Sequence, residues 1–324
     1  MKKGMYICLV ATGLLLCIAP VLLDYFIGYK KASAALFTSD LSSTGQRCAT
    51  SPSTPAPLPE PTPVATSPGP YAGFTACIFT DQGNALTYYL YVPANYDPAK
   101  KYPLVLMLGG GGERSKSNYT AAQNEKLLLD DPYARVWSAD YNAPGNPHIQ
   151  QRWPSFVVIP QIALSQQWVN MNVHDGSYTQ PSQPSIPLQL TKALLDDLQR
   201  QYSGIDSNRL YITGLSNGGY GTWDAIERWP DYFAAAAPIA GAGDPSKAAV
   251  LKSLPIWAFQ GSADSIVPIS GSRSMIAAIR AAGGQPKYTE FAGQSHEVWP
   301  YVYSLGVSSL NVTDFFPWLF AQRK

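Results

Sequence analysis

Uninterrupted apolar runs, separated by amphipathic stretches, limit what this chain can fold into more than any other feature. "YPLVLMLGG" (residues 102–110), "SFVVIPQ" (155–161), "RLYITG" (209–214), "AAAAPIAG" (234–241) and "PIWAFQG" (255–261) read as strands, and so does the more polar "KYTEFAG" (287–293). A strand with one wet face alternates apolar and polar residues, whereas one covered on both faces need not. Between these runs lie helix-like stretches. "SIPLQLTKALLDDLQRQY" (185–202) has apolar residues at Ile186, Leu188, Leu190, Leu194, Leu195 and Leu198, a helical spacing. "GYGTWDAIERW" (219–229) and "SRSMIAAIRAAG" (272–283) read the same way. Covered strands interleaved with helices predict an α/β fold: a mostly parallel central sheet with helices on both faces. "FTACIFT" and "ALTYYLYVP" flank the turn "DQGN" (81–84) and predict an antiparallel hairpin at the N-terminal edge of that sheet. No internal repeat is visible.

The rest of the chain divides into three parts. Residues 71–324 carry the strand–helix alternation and form the expected globular domain. Residues 35–70 include "TSPSTPAPLPEPTPVATSPGP", whose Pro, Ser and Thr leave little apolar surface to bury, so an extended linker is expected. Residues 1–34 place Lys2 and Lys3 before the apolar run "MYICLVATGLLLCIAPVLL", followed by the small-x-small site Ala32-Ser33-Ala34. That layout fits a cleaved secretory signal. The length of the run fits an uncleaved membrane anchor equally well. Either reading puts the remainder in a secreted or extracellular-surface location.

Composition excludes some functions. Among 324 residues, 14% are charged and the net charge is +1, so there is no basic stripe to hold nucleic acid. The three His are scattered, and no Cys or His cluster has ligand spacing, so neither a metal nor another cofactor is expected. Cys48 and Cys77 lie outside the apolar segment, and an oxidising compartment would allow them to pair.

The segment "RLYITGLSNGGYGTWDAIERWP" carries the chemistry. A strand runs into Gly214-Leu215-Ser216-Asn217-Gly218 and a helix runs out. The pentapeptide is weak alone, but this setting is the one in which a serine is raised on a tight turn as a nucleophile. The helix that follows turns its positive end towards Ser216. A hydroxyl needs a base, and in this chain order the base is the last triad member. His296, in the loop "GQSHEVW", is the one histidine after Ser216; His148 and His174 precede it and read as loop or cleft residues. Asp264, in "PIWAFQGSADSIVP", is the expected acid, and Asp244, in "GAGDPSK", the competitor. An oxyanion needs two convergent N–H groups. Asn217 would supply one, and Gly110 or Gly111, within the run Gly109 to Gly112, the other.

These blocks, with "YPLVLMLGGGGERSKSN" and "KYTEFAGQSHEVW", resemble the α/β-hydrolase superfamily. More narrowly they are similar to its secreted carboxylesterases of the polyhydroxybutyrate-depolymerase and feruloyl-esterase kind, often labelled prolyl-oligopeptidase-like. The resemblance runs from about Thr75 to the C-terminus. It implies Ser216 as nucleophile, His296 as base and Asp264 as acid, with Asn217 and Gly110 or Gly111 as the oxyanion hole. It implies a structural ion pair between Glu113 and Arg114. Trp168, in "PQIALSQQWVN", matches a loop that borders the site. One departure stands out: members usually carry His-Gly where Gly109-Gly110 stand here, so the loop lacks a supporting side chain.

The expected activity is therefore hydrolysis of a carboxylic ester, on a partner ester that is small, polymeric or polysaccharide-linked: a feruloyl, acetyl or polyester substrate. Trp168 and Trp299, with Tyr301, are candidate substrate-binding aromatics. Two other readings stay open. One is a serine peptidase of prolyl-oligopeptidase type, although no repeat region supplies the usual propeller domain. The other is a non-catalytic surface binding module on the same scaffold.

Overall fold

The computed structural model describes residues 73–139, 148–171, 175–306 and 308–324, all within the compact unit Thr44–Lys324. The expected signal or anchor, the linker, Cys48 and His174 lie outside the described residues.

Eight strands form one sheet: β1 (Phe74–Asp81), β2 (Asn84–Tyr91), β3 (Tyr102–Leu108), β4 (Phe156–Gln161), β5 (Ile205–Leu215), β6 (Ala235–Ile239), β7 (Trp257–Gly261) and β8 (Lys287–Phe291). Their order is β1-β2-β4-β3-β5-β6-β7-β8. β1 pairs antiparallel with β2, and β2 antiparallel with β4; from β4 to β8 every pairing is parallel. The hairpin is thus the antiparallel edge that the sequence predicts.

The central strands bury both faces. In β3, Leu104, Leu106 and Leu108 enter one apolar cluster while Val105 and Met107 enter the other. β4 divides the same way, with Phe156 and Val158 against Val157 and Ile159. This is the period-two geometry of a strand with apolar residues on both sides. Each such side chain contributes about 1.5–3 kcal/mol on burial.

Helices cover the two faces. α1 (Ala121–Leu129) and the C-terminal α5 (Phe315–Ala321) lie on the Val105 face, and α2 (Ile186–Gln201), α3 (Asn217–Arg228) and α4 (Ile269–Ala281) on the Leu104 face. α2 starts where Ser185 accepts a hydrogen bond from Leu188 N, with Pro187 in its first turn. α1 begins at a capping box between Thr120 and Gln123.

Two of these five helices were not expected. α1 buries only its last two leucines, Leu128 and Leu129, so its period is faint. α5, "FFPWLFA", has no polar face to set a period; Phe315, Phe316, Leu319 and Phe320 are all buried. β5 also starts four residues before the apolar run. Its polar first residues are held by the Arg209–Asp206 ion pair at 2.8 Å.

Candidate active site

β5 ends at Leu215 and α3 begins at Asn217, so Ser216 is the whole connection between them. Its backbone sits at φ 54° and ψ −118°. A non-glycine residue in that region costs about 1–3 kcal/mol, a strain the surroundings must impose. They do so at close range. The Ser216 N–H donates to Ile239 O at 2.9 Å. A Cβ on Gly214 would lie 2.3 Å from Gly218 O, and one on Gly218 would lie 2.0 Å from Leu108 O. Both contacts are with backbone, which cannot swing away. Gly218→Ala is therefore expected to cost about 3 kcal/mol or more, seen as a fall of at least about 6 °C in Tm by calorimetry.

The strand ends bring three expected residues together. His296, in the loop after β8, sets Nε2 2.8 Å from Ser216 Oγ and Nδ1 2.8 Å from Asp264 Oδ2. Asp264 follows β7. Its carboxylate is sealed from solvent, whereas 14% of the His296 side chain stays exposed. Asp264 Oδ1 accepts from Ile266 N and Val267 N, both at 2.9 Å. Gln260 Nε2 donates to Oδ2 at 2.6 Å, and Ser272 Oγ donates to Gln260 Oε1 at 2.8 Å. These donors fix the carboxylate's orientation and leave Oδ2 as an acceptor for His296 Nδ1. The carboxylate therefore draws the imidazole proton to Nδ1 and leaves Nε2 free to accept from Ser216. The expected residues did not include Gln260 and Ser272. The one available signal was an amide inside the apolar strand "IWAFQG".

The competitor acid is elsewhere. Asp244 caps the 3-10 turn Pro245–Leu251, accepting from Ser246 N at 2.9 Å and from Gln180 N at 2.8 Å. His148 is an exposed residue just ahead of a one-turn helix, as a loop residue should be.

The glycine run Gly109 to Gly112 follows β3, and Asn217 opens α3, where the first N–H groups have no intrahelical acceptor. The two candidate glycines differ. Gly110 lies against the Glu113 carboxyl group, since a Cβ there would meet Oε2 at 3.0 Å.

Three expectations are corrected. Trp168 does not line a cleft: it is 1% exposed, and its indole N–H donates to Gly109 O at 2.9 Å. Its own N–H donates to Asn217 Oδ1 at 3.2 Å, so Trp168 ties the glycine run to the start of α3. An indole edge thereby supports the loop that carries glycine in place of histidine. Trp299 is 6% exposed and stands edge-to-face on the His296 ring at 5.3 Å. It backs the imidazole. Glu113 and Arg114 attract at range without a close ion pair: Arg114 donates to Gly111 O, Leu164 O and Gln166 O, while Glu113 faces Asp131. Those three carbonyls take up donors on Nε and Nη1 of the guanidinium. Tyr301 is partly buried and donates to Gln294 Oε1 at 2.9 Å. Cys77 is disulfide-bonded, with its expected partner Cys48 outside the described residues.

The fold is similar to that of known proteins. A solved structure described as a thermostable esterase is 34% identical, with 78% of this chain and 63% of that one covered, at a TM-score of 0.61. The chain is an α/β-hydrolase in fold. The prolyl oligopeptidase family matches residues 191–256 of this α/β-hydrolase, a segment that holds Ser216 and stops before Asp264 and His296. Poly(3-hydroxyalkanoate) depolymerase C of Paucimonas lemoignei is 46% identical over 50 residues, which is 15% of this chain and 12% of that protein. An uncharacterized secreted protein of Arthroderma benhamiae is 28% identical over 148 residues, 34% of this chain and 16% of that protein. The chain thus spans less than a fifth of either curated relative and under two thirds of the esterase. Among the described residues, no helix is long and apolar enough to cross a membrane.

Proposed function

We propose that this α/β-hydrolase is an extracytoplasmic serine carboxylesterase. One observation carries the reading: the unbroken series of 2.8 Å contacts from Ser216 Oγ through His296 to Asp264. In this mechanism His296 Nε2 takes the Ser216 proton as Oγ attacks the ester carbonyl. The carbonyl oxygen becomes an oxyanion facing the N–H groups of Asn217 and Gly111. The imidazolium then gives its proton to the departing alcohol, leaving an acyl-serine. Water, deprotonated by the same imidazole, releases the acid and restores Ser216. Asp264 holds the imidazole tautomer and its charge throughout.

The likeness to a thermostable esterase and to a polyhydroxyalkanoate depolymerase supports ester over amide substrates. The disulfide at Cys77 supports an oxidising location. The match to the prolyl oligopeptidase family favours a second reading, a peptidase on the same machinery.

The test is a fluorophosphonate probe followed by a substrate panel. The purified protein should take up the probe at one site per chain and turn over p-nitrophenyl acetate and butyrate. Among natural-type esters, a hydroxyalkanoate polyester, a feruloylated glycan and an acetylated glycan identify the acyl group. Peptidyl p-nitroanilides cleaved faster than any ester would favour the peptidase. A protein that neither labels nor turns over any of these substrates would overturn the proposal.

A further inference from the structure

Four consecutive glycines have no side chains of their own with which to hold a loop in shape. Beneath them sits Glu113. A Cβ on Gly109 would point at Glu113 Cβ (3.3 Å) and Oε2 (3.6 Å), and one on Gly110 would meet Glu113 Oε2 at 3.0 Å. The carboxyl group of Glu113 therefore fills the space under the first two glycines. The nearby N–H groups of Gly110 and of Glu113 itself favour its charged form, against the burial that disfavours it. The Glu113 carbonyl is anchored in turn by Gln161 Nε2 at 2.9 Å.

Glu113 Oε2 is sealed from solvent, and no N–H of the described residues reaches it. Its neighbour is a second carboxyl group, that of Asp131, within hydrogen-bonding reach. The nearest cation is engaged elsewhere: Arg114 spends Nε and Nη1 on the carbonyls of Gly111, Leu164 and Gln166. Two buried carboxylates so placed repel each other. One carboxyl and one carboxylate attract, through a short O–H···O⁻ bond.

We propose that Glu113 and Asp131 hold one proton between them, and that this acid pair is the positioning device that keeps the Gly111 N–H aimed at the oxyanion. The proposal rests on the esterase reading for its catalytic consequence, but the shared proton does not. The pair also touches the other half of the site. Asp131 Oδ1 accepts from Tyr133 N at 2.9 Å. The Tyr133 ring stands edge-to-face on Trp299 at 5.5 Å, and Trp299 stands on His296. Glu113 and Asp131 are thus positioning residues joining the glycine loop to the platform behind the base.

The pH consequence has a definite sign. Facing Glu113 are Asp131, Arg114 and the Gly110 N–H; facing Asp131 are Glu113, Glu297 from the loop after β8, the Tyr133 N–H and, at longer range, Tyr303. Burial raises both acids, and the charges of Glu113 and Glu297 add to it at Asp131, which is pushed up to about 7. A carboxyl group raised in the folded state stabilises the fold at low pH, and that contribution is lost as pH rises through the folded value. Loss of the shared proton near neutrality should therefore loosen the loop and lower kcat.

The experiment compares pH–rate and pH–Tm profiles of the wild type, Glu113→Gln and Glu113→Ala. Glutamine keeps the shape, offers an amide N–H to Asp131 and an oxygen to Gly110, and cannot titrate. Glu113→Ala should lose about 10- to 100-fold in kcat at pH 6 with little change in KM, the scale of a small misplacement of a catalytic donor. Glu113→Gln should recover most of that loss and lack the wild-type fall in kcat above about pH 7. Its Tm should decline less than that of the wild type between pH 5 and 8. Superimposable pH–rate and pH–Tm profiles for the wild type and Glu113→Gln would overturn the proposal. If the protein turned over no ester, the esterase reading alone would fail, and the pH–Tm comparison would still decide whether the proton is shared.

Discussion

Ser216→Ala is expected to lower kcat for p-nitrophenyl esters by about 10⁴- to 10⁶-fold, the range seen when a triad nucleophile is removed. KM and Tm should move little. The substitution deletes one oxygen whose recorded partner is His296 Nε2, and it leaves the glycine contacts that force the turn untouched. Alanine also suits the site sterically no worse than serine, since both carry a Cβ at φ 54°. The residual rate should come from the oxyanion donors and substrate binding. Steady-state kinetics with a fluorophosphonate control reads this directly. A variant that keeps more than about a tenth of the wild-type kcat would remove Ser216 from the mechanism, because no other serine contacts His296 among the described residues.

Asp264→Asn should follow closely, with kcat reduced by about 10⁴-fold, or ~5.5 kcal/mol of transition-state stabilisation. The cause is the tautomer. An asparagine amide in place of Oδ2 would donate towards His296 Nδ1, forcing the ring proton to Nε2, where it blocks acceptance from Ser216. The surroundings worsen the fit: Oδ2 also receives Gln260 Nε2, and an amide N–H there would face another donor. Asp244→Asn is the matched control. Asp244 caps a turn and holds Gln180, so its loss should register in Tm with kcat within a few-fold of wild type. Measuring kcat for the pair separates the two acids that remained in competition on sequence alone. Equal losses for both would mean that the His296–Asp264 contact does not govern the base.

How much could be read beforehand differs from element to element, for physical reasons. The covered strands were legible because burial on both faces leaves an unbroken apolar string. α2 was legible because its one buried stripe repeats at helical spacing. α1 and α5 were not: one buries too few residues to show a period and the other is apolar all round. Ser216 and His296 were legible because a nucleophile elbow has few tolerable residues and one histidine follows it in the chain. The aromatics were read least well. Trp168 and Trp299 suited a substrate wall by composition, yet both are buried, one holding the glycine loop and one backing the imidazole. An indole serves a wall or a core equally well, and the choice depends on what the neighbouring loop leaves uncovered.

From the sequence alone came the α/β architecture, the antiparallel edge, and the order serine, acid, histidine at strand ends. Periodicity and backbone sterics act locally, so a linear string records them. Tertiary structure decided the rest. It brought Asp264 and not Asp244 to His296, because two strand ends that look alike in sequence point to different places in space. It put the Glu113 side chain beneath Gly109 and Gly110. It also set two acids, 18 positions apart in the chain, within reach of a single proton. Distances across a fold are set by packing of the whole, and no local pattern encodes them.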